Sequence, residues 1–196
     1  MAPLVGSGVW FGSSNNGRGI FAFGYNGSAA TPTTNIYTYS NNAVATGTNL
    51  TAGLFGGAAA GNSTLGIFAL GNTAVTTNIY TYSNNAVATG TNLTADLYGG
   101  AAAGNSTLGI FALGNTTVTT NIYTYSNNAV ATGTNLTADL SAGVATGNST
   151  LGIFAIGNDT VTTNIYTYSN NAVATGTNLT ADLFEGAAAS TTPGGF

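Results

Sequence analysis

The sequence TTNIYTYSNNAVATGTNLTA occupies residues Thr33–Ala52 and returns unchanged at three later positions. The further copies are Thr76–Ala95, Thr119–Ala138 and Thr162–Ala181, at a constant interval of 43 residues. A constant interval of this length is typical of repeat proteins, in which each repeat is one supersecondary unit that buries its apolar face against its neighbours. We therefore expect residues 1–196 to form a single repeat domain.

The repeat divides the chain into three parts. Residues 1–32 are a degenerate N-terminal part, in which Gly19–Gly24 (GIFAFG) anticipates the later GIFALG segments. Residues 33–182 hold four near-identical repeats, and residues 183–196 hold a surplus strand, at Leu183–Ala189, and a C-terminal tail. We expect the surplus strand either to close a ring by completing the first unit or to pair with a neighbouring molecule.

The first two segments of each repeat predict two different kinds of strand. The first segment, Leu54–Gly61 (LFGGAAAG) in one copy, is rich in small residues, and Leu4–Phe11 is its weak counterpart at the N-terminus. The second segment, Leu65–Gly71 (LGIFALG), contains four consecutive apolar residues bounded by glycines. A short apolar run with these boundaries predicts a strand that is buried on both faces.

The invariant stretch itself predicts a hairpin. Asn35–Ser40 (NIYTYS) alternates in polarity and places Tyr37 and Tyr39 on one face of a strand. Asn41–Asn42 is expected to be a two-residue turn, because asparagine tolerates the left-handed backbone conformation that tight hairpins need. Ala43–Thr46 (AVAT) then predicts a short returning strand.

Four antiparallel strands in a unit of this length predict an all-β fold, namely a small β-propeller of about four four-stranded blades. The small residues of the first segment suit the crowded axis of such a ring, and the bulky residues suit the wider layers between blades. The alternative is an open β-solenoid or fibre of the same repeats, in which Asn and Tyr side chains form ladders.

The segments GGAAAGNST, LGIFALG and NIYTYSNNAVATGTNL together resemble a kelch-type propeller repeat, particularly the bacterial kelch-like kind. The matching positions in one copy are the glycine that ends the second strand, the tyrosines of the third strand and the large apolar residue that opens the fourth: Gly71, Tyr80, Tyr82 and Val87. The resemblance covers most of residues 17–190 and implies a propeller. Leu-Gly stands here in place of the family's double glycine, and valine in place of its tryptophan. Aspartate replaces the arginine that precedes the next blade, so the resemblance does not extend to ligand chemistry around that arginine.

The composition excludes several classes of function. Only 3% of the residues are charged, and Arg18 is the only basic one, so the chain lacks the cations that bind nucleic acid or an anionic membrane surface. No apolar run is long enough to cross a bilayer, and the N-terminus does not resemble a signal peptide. Histidine and cysteine are absent. We expect no enzymatic activity, no cofactor and no membrane insertion, and a location outside a cell or on the surface of a cell or virion.

One set of candidate ligand-binding residues is acidic. Aspartate recurs at one position of three repeats, where the first copy has Gly53: Asp96, Asp139 and Asp182. In a ring these carboxylates would lie near one end of the axis, where they could bind a cation or act as a glycosidase pair. The simpler interpretation, which we favour, is that each aspartate follows a strand and stabilises a turn.

The other candidate set is aromatic. Each repeat carries one tyrosine pair: Tyr37 and Tyr39, Tyr80 and Tyr82, Tyr123 and Tyr125, and Tyr166 and Tyr168. Such pairs beside asparagine could hold sugars weakly at one site per blade, with multivalency supplying the strength. A Tyr-x-Tyr pair on a strand more often packs between blades.

The sequence thus predicts a structural or binding repeat protein that self-assembles, or mediates extracellular interactions, through a repetitive and uncharged surface. The expected partner is a second copy, in a homo-oligomer or filament. The alternative is a lectin-like propeller that binds glycans.

Overall fold

The computed structural model describes residues 10–11, 17–22, 24–25, 28–71, 74–157, 159–184 and 186–190. These residues form four antiparallel sheets of four strands each, and the described residues include no helix. In every sheet the strands follow one another in chain order. The predicted all-β fold and its four-stranded unit are confirmed.

The sheets are numbered along the chain. The strands of sheet 1 are β1 (Trp10–Phe11), β2 (Arg18–Ala22), β3 (Thr34–Thr38) and β4 (Ala43–Thr46). Those of sheet 2 are β5 (Ala58–Gly61), β6 (Leu65–Ala69), β7 (Thr77–Thr81) and β8 (Ala86–Thr89). Those of sheet 3 are β9 (Ala101–Gly104), β10 (Leu108–Ala112), β11 (Thr120–Thr124) and β12 (Ala129–Thr132). Those of sheet 4 are β13 (Val144–Gly147), β14 (Leu151–Ala155), β15 (Thr163–Thr167) and β16 (Ala172–Thr175).

The hairpin of the invariant stretch is longer at its tip than the two-residue turn that its asparagines predict. Thr38 pairs with Ala43, so four residues connect the strands, and Tyr39 lies in the turn instead of the strand. Asn42 adopts the left-handed conformation (φ 55°), as expected. The Asn41 side chain accepts a hydrogen bond from the Ala43 N–H (3.2 Å), which stabilises the wider turn.

The third strand of each sheet presents different residues to the two sides. In β7, Asn78 and Tyr80 point to one side, followed by Tyr82 in the turn, and we call this side of each sheet the tyrosine face. Thr77 and Ile79 point to the other side, which we call the threonine face. The second strand adds Phe68 to the tyrosine face, where its ring lies edge-on to that of Tyr80 at 6.4 Å between centroids. The predicted alternation is therefore confirmed.

Successive sheets stack with the tyrosine face of one against the threonine face of the sheet before it. They are closest at their first strands: β5 contacts β1 and β9, and β9 contacts β13. The small residues predicted at the crowded strands lie here, with Ala60 and Ala103 fully buried. At this contact the N–H of Gly99, whose φ is +60°, donates to the carbonyl of Gly56 (3.0 Å).

Three hydrophobic clusters lie between the four sheets, one at each junction. The cluster between sheets 2 and 3 is representative: Ile67 and Leu93 of the threonine face meet Phe111, Tyr123 and Tyr125 of the tyrosine face. Among the described residues no fourth cluster joins sheet 4 to sheet 1. The core is thus divided into layers, each completed by two neighbouring sheets.

The two ends of the chain differ from the repeats between them. Of the expected first strand Leu4–Phe11, β1 is described, and Leu4–Val9 lies outside the described residues. Of the surplus segment, Leu183 forms an isolated bridge to Thr160, and residues 186–190 have no strand structure. Across the described part of the chain, no helix has the length and apolar character needed to cross a bilayer.

Candidate functional site

Each junction contains the same hydrogen-bonded pair of a buried asparagine and a threonine of the preceding sheet. At the first junction the Thr51 N–H donates to Asn78 Oδ1 (2.7 Å), and the Asn78 amide donates to the Thr51 hydroxyl (2.8 Å). The same two bonds join Thr94 to Asn121 at 2.7 and 2.8 Å, and Thr137 to Asn164 at 2.6 and 2.8 Å. Because the three asparagines are fully buried, these bonds satisfy polar groups that water cannot reach. The pair therefore fixes how one sheet sits on the next.

A tyrosine hydroxyl occupies a second recurring position, beside a glycine of the preceding sheet. A Cβ atom added to Gly90 would lie 2.6 Å from the Tyr123 hydroxyl and 2.4 Å from the Thr77 hydroxyl, and Gly133 is placed likewise against Tyr166. Glycine is needed here because no side chain fits between the two hydroxyls.

Two of these tyrosines also bond to the turn of their own hairpin. The hydroxyls of Tyr123 and Tyr166 donate to the side chains of Asn128 and Asn171, whereas the buried Tyr80 hydroxyl has no hydrogen-bond partner of good geometry among the described residues. Asn128 also accepts from the Thr91 N–H of the preceding sheet (3.1 Å).

The loops with the sequence Asn-Ser-Thr, which connect the first and second strands of sheets 2, 3 and 4, form a further link between sheets. The Asn62 side chain accepts from the N–H groups of Thr64 and Leu65 at 2.8 and 3.0 Å, which is turn geometry. Its amide donates to the carbonyl of Ser106 in the next sheet (3.1 Å), and Asn105 bonds to Ser149 in the same way (3.2 Å). These asparagines therefore stabilise both their own loop and the stack.

Sheet 1 carries the tyrosine-face half of this contact set without its counterpart. Asn35 makes one side-chain hydrogen bond, to the adjacent Thr34 carbonyl (3.0 Å), and none to a threonine of another sheet among the described residues. Tyr39 is 42% exposed, whereas its equivalents Tyr82 and Tyr125 are 7% and 6% exposed. Tyr37 keeps the hydrogen bond to its own turn, at Asn42.

Sheet 4 carries the threonine-face half. Thr180 is the equivalent of Thr51, and none of the described residues forms a hydrogen bond with its N–H or hydroxyl. Leu179 is 37% exposed, against 4% for its equivalent Leu136. Gly176 faces Thr163 and Ile165 of its own sheet, with no tyrosine opposite. The two ends of the stack are thus complementary halves of one contact.

The structure separates the eight candidate tyrosines into two groups. Six are buried at the junctions: Tyr80, Tyr82, Tyr123, Tyr125, Tyr166 and Tyr168. Tyr37 and Tyr39 remain accessible to solvent on sheet 1. The local sequences are the same, so the difference arises from the presence or absence of a preceding sheet.

Burial changes the acidity of these tyrosines. It raises the pKa of Tyr82, Tyr125 and Tyr168 above the ordinary value of 10.0, because a phenolate would lose its hydration between the sheets. Burial also raises the pKa of Tyr123, and the Thr77 side chain and Thr91 backbone beside its oxygen oppose that rise.

The candidate aspartates lie on the surface. Asp96, Asp139 and Asp182 are exposed, each directly before the leucine that bridges back to the preceding sheet. Within the described ranges no group of three His, Cys, Asp or Glu side chains is placed to hold a metal ion. The tyrosine faces, and not these carboxylates, form the recurrent contacts between sheets.

The asparagine–threonine pairs were not predicted from the sequence. Asn78 belongs to a strand that was predicted from its tyrosines, and Thr51 belongs to an Asn-Leu-Thr motif that resembles a glycosylation acceptor. Their partnership joins positions 27 residues apart in different copies. The available signal was the unbroken identity of both residues in all four repeats.

A scan against protein-family models found no match to this chain, and neither did a search of curated protein sequences. The kelch resemblance remains a prediction from the repeat motifs. The candidate function is therefore argued from the geometry of the junctions and of the two end faces.

Proposed function

We propose that the protein is a non-enzymatic structural protein that self-assembles into homo-oligomers or filaments outside a cell or on a cell or virion surface. One observation carries the proposal. The contact between a tyrosine face and a threonine face forms three times inside the chain, and each end of the chain presents one of these two faces without the other. A sheet face that is covered inside the chain but uncovered at its end exposes apolar area and unpaired polar groups, and both favour association.

The near absence of charge supports the same function. The chain has one basic residue and five acidic ones, so little electrostatic repulsion opposes contact between copies. In this proposal the four sheets are arranged as propeller-like blades, and the open stack is the assembling unit. A monomeric closed propeller is the competing arrangement, in which sheet 4 would cover sheet 1 of the same chain.

Sedimentation velocity and electron microscopy over a series of protein concentrations test the proposal. We expect the average mass to rise with concentration, and the rise to persist from about 0.05 to about 1 M NaCl, because uncharged contacts are not screened. A monomer at every concentration would contradict self-assembly.

For the lectin-like alternative, the candidate sugar-binding tyrosines reduce to Tyr37 and Tyr39, because these are the accessible members of the tyrosine set. A glycan array tests it directly. Binding that is lost in Tyr39→Ala and retained in Asp96→Asn would favour the lectin function over a purely structural one.

A further inference from the structure

We propose that copies join head to tail, with the tyrosine face of sheet 1 in one copy covering the threonine face of sheet 4 in the next. This joint rests on the proposed self-assembly and names its partner, a second copy, and its residues. It continues the established junctions by one more step of the same interval.

The first set of contacts at the joint is polar. Asn35 takes the position of Asn78, Asn121 and Asn164, and Thr180 of the neighbouring copy takes that of Thr51, Thr94 and Thr137. Among the described residues each lacks the partner that completes the pair at all three junctions. Asn42 likewise corresponds to Asn128, which accepts from Thr91, so the Thr177 N–H is its expected donor.

The second set is apolar and steric. Tyr37 takes the position of Tyr123, with its hydroxyl beside Gly176 and Thr163 of the neighbouring copy, where Gly90 and Thr77 lie inside the chain. Phe21 and Tyr39 then cover Leu179, as Phe111 and Tyr125 belong to the cluster that contains Leu93. Val144 and Thr146 replace two alanines on this threonine face, so the first strands meet at a slightly larger separation.

A second copy is favoured over the same chain because, among the described residues, no hydrophobic cluster joins the two end faces. No hydrogen bond joins Asn35 to Thr180, and both residues are described. The contact is also heterologous, since two different faces meet, and such a contact extends into filaments unless its rotation closes a ring.

Two end variants and one control test the joint. Tyr37→Asp disables the tyrosine face, and Leu179→Asp disables the threonine face. Ser126→Asp places the same charge on an exposed turn residue of sheet 3, which belongs to neither end face. Circular dichroism and urea denaturation establish that each variant is folded.

We expect each end variant to weaken association by about a hundredfold or more, because a carboxylate would be buried without a partner. Ser126→Asp should assemble like the unaltered protein. Tyr37→Asp mixed with Leu179→Asp should form a one-to-one dimer, because each variant retains the face that the other has lost. That dimer is the distinctive result for a head-to-tail joint.

Other results would overturn the joint. Assembly that survives both end variants and fails in Ser126→Asp would place the contact on the hairpin turns and leave self-assembly intact. End variants that fail to assemble and also fail to complement would indicate like faces in contact. An unaltered protein that stays monomeric, and is destabilised by both end variants, would indicate closure within one chain and would contradict the proposed function as well.

Discussion

Tyr123 and Tyr37 lie in identical sequences and have different surroundings. Tyr123 is fully buried at the junction of sheets 2 and 3, beside Gly90 of the preceding sheet. Tyr37 lies on sheet 1, where none of the described residues forms a preceding sheet to cover it. The comparison shows that burial in this molecule is set by position in the stack, because each core layer needs two sheets to complete it.

The largest expected difference between the two regions follows from removing the aromatic side chain of the tyrosine. Tyr123→Ala should lower the free energy of unfolding by about 3–5 kcal/mol, because it opens a cavity in a complete core layer. Tyr37→Ala should cost clearly less stability, measured by urea denaturation of dilute monomer, and should weaken assembly. Equal losses of stability would show that sheet 1 is covered within its own chain.

The asparagines give a smaller and more specific comparison. Asn121→Ala should cost about 1–3 kcal/mol, because it leaves the Thr94 groups unbonded at a junction. Asn35→Ala, the matched change on the end face, should shift the monomer's stability by less than about 0.5 kcal/mol. Thermal unfolding of both variants at low concentration measures the difference.

Alkaline pH should destabilise the interior junctions. Because burial raises the pKa of Tyr82, Tyr125 and Tyr168 in the folded state, the stability they contribute is complete below their ordinary pKa of 10.0 and is lost above it. At one pH unit above that value the loss is about 1.4 kcal/mol for each such tyrosine. Urea denaturation at pH about 8 and about 11 measures this loss, and an increase in stability at the higher pH would contradict it.

The smallest effect is expected from the exposed carboxylates. Replacing Asp96, Asp139 and Asp182 together by asparagine should change the free energy of unfolding by no more than about 0.5 kcal/mol for each residue. Assembly should be unaffected, because these side chains lie outside the junctions. A thermal shift on adding Ca²⁺ that disappears in the triple variant would instead identify a cation site.

Local patterning predicted much of the fold. The alternation of polarity around Tyr37 and Tyr39 indicated which residues share a face of the third strand. The LGIFALG run indicated a strand that is buried on both sides. Both signals depend on short-range periodicity. The turn was predicted too short, since Thr38 pairs with Ala43 and four residues connect the two strands. Nothing local distinguishes a two-residue from a four-residue connection around two asparagines.

The junction contacts could not be predicted in the same way. Asn78 finds its partner in the preceding repeat, and an identical copy of that partner occurs in every repeat. Sequence identity therefore concealed which copies meet and which two faces remain uncovered. That information depends on how the sheets stack, which the sequence of a single repeat does not determine.

The constant 43-residue step between junctions has a consequence for variation in the gene product. A chain that lost or gained one whole repeat would retain the same two end faces and, with the joint proposed here, would copolymerise with the original. Subunit length would then vary in whole blades while recognition stayed constant. Such a protein tolerates polymorphism in repeat number without needing a matching change in its partner, because the partner is itself.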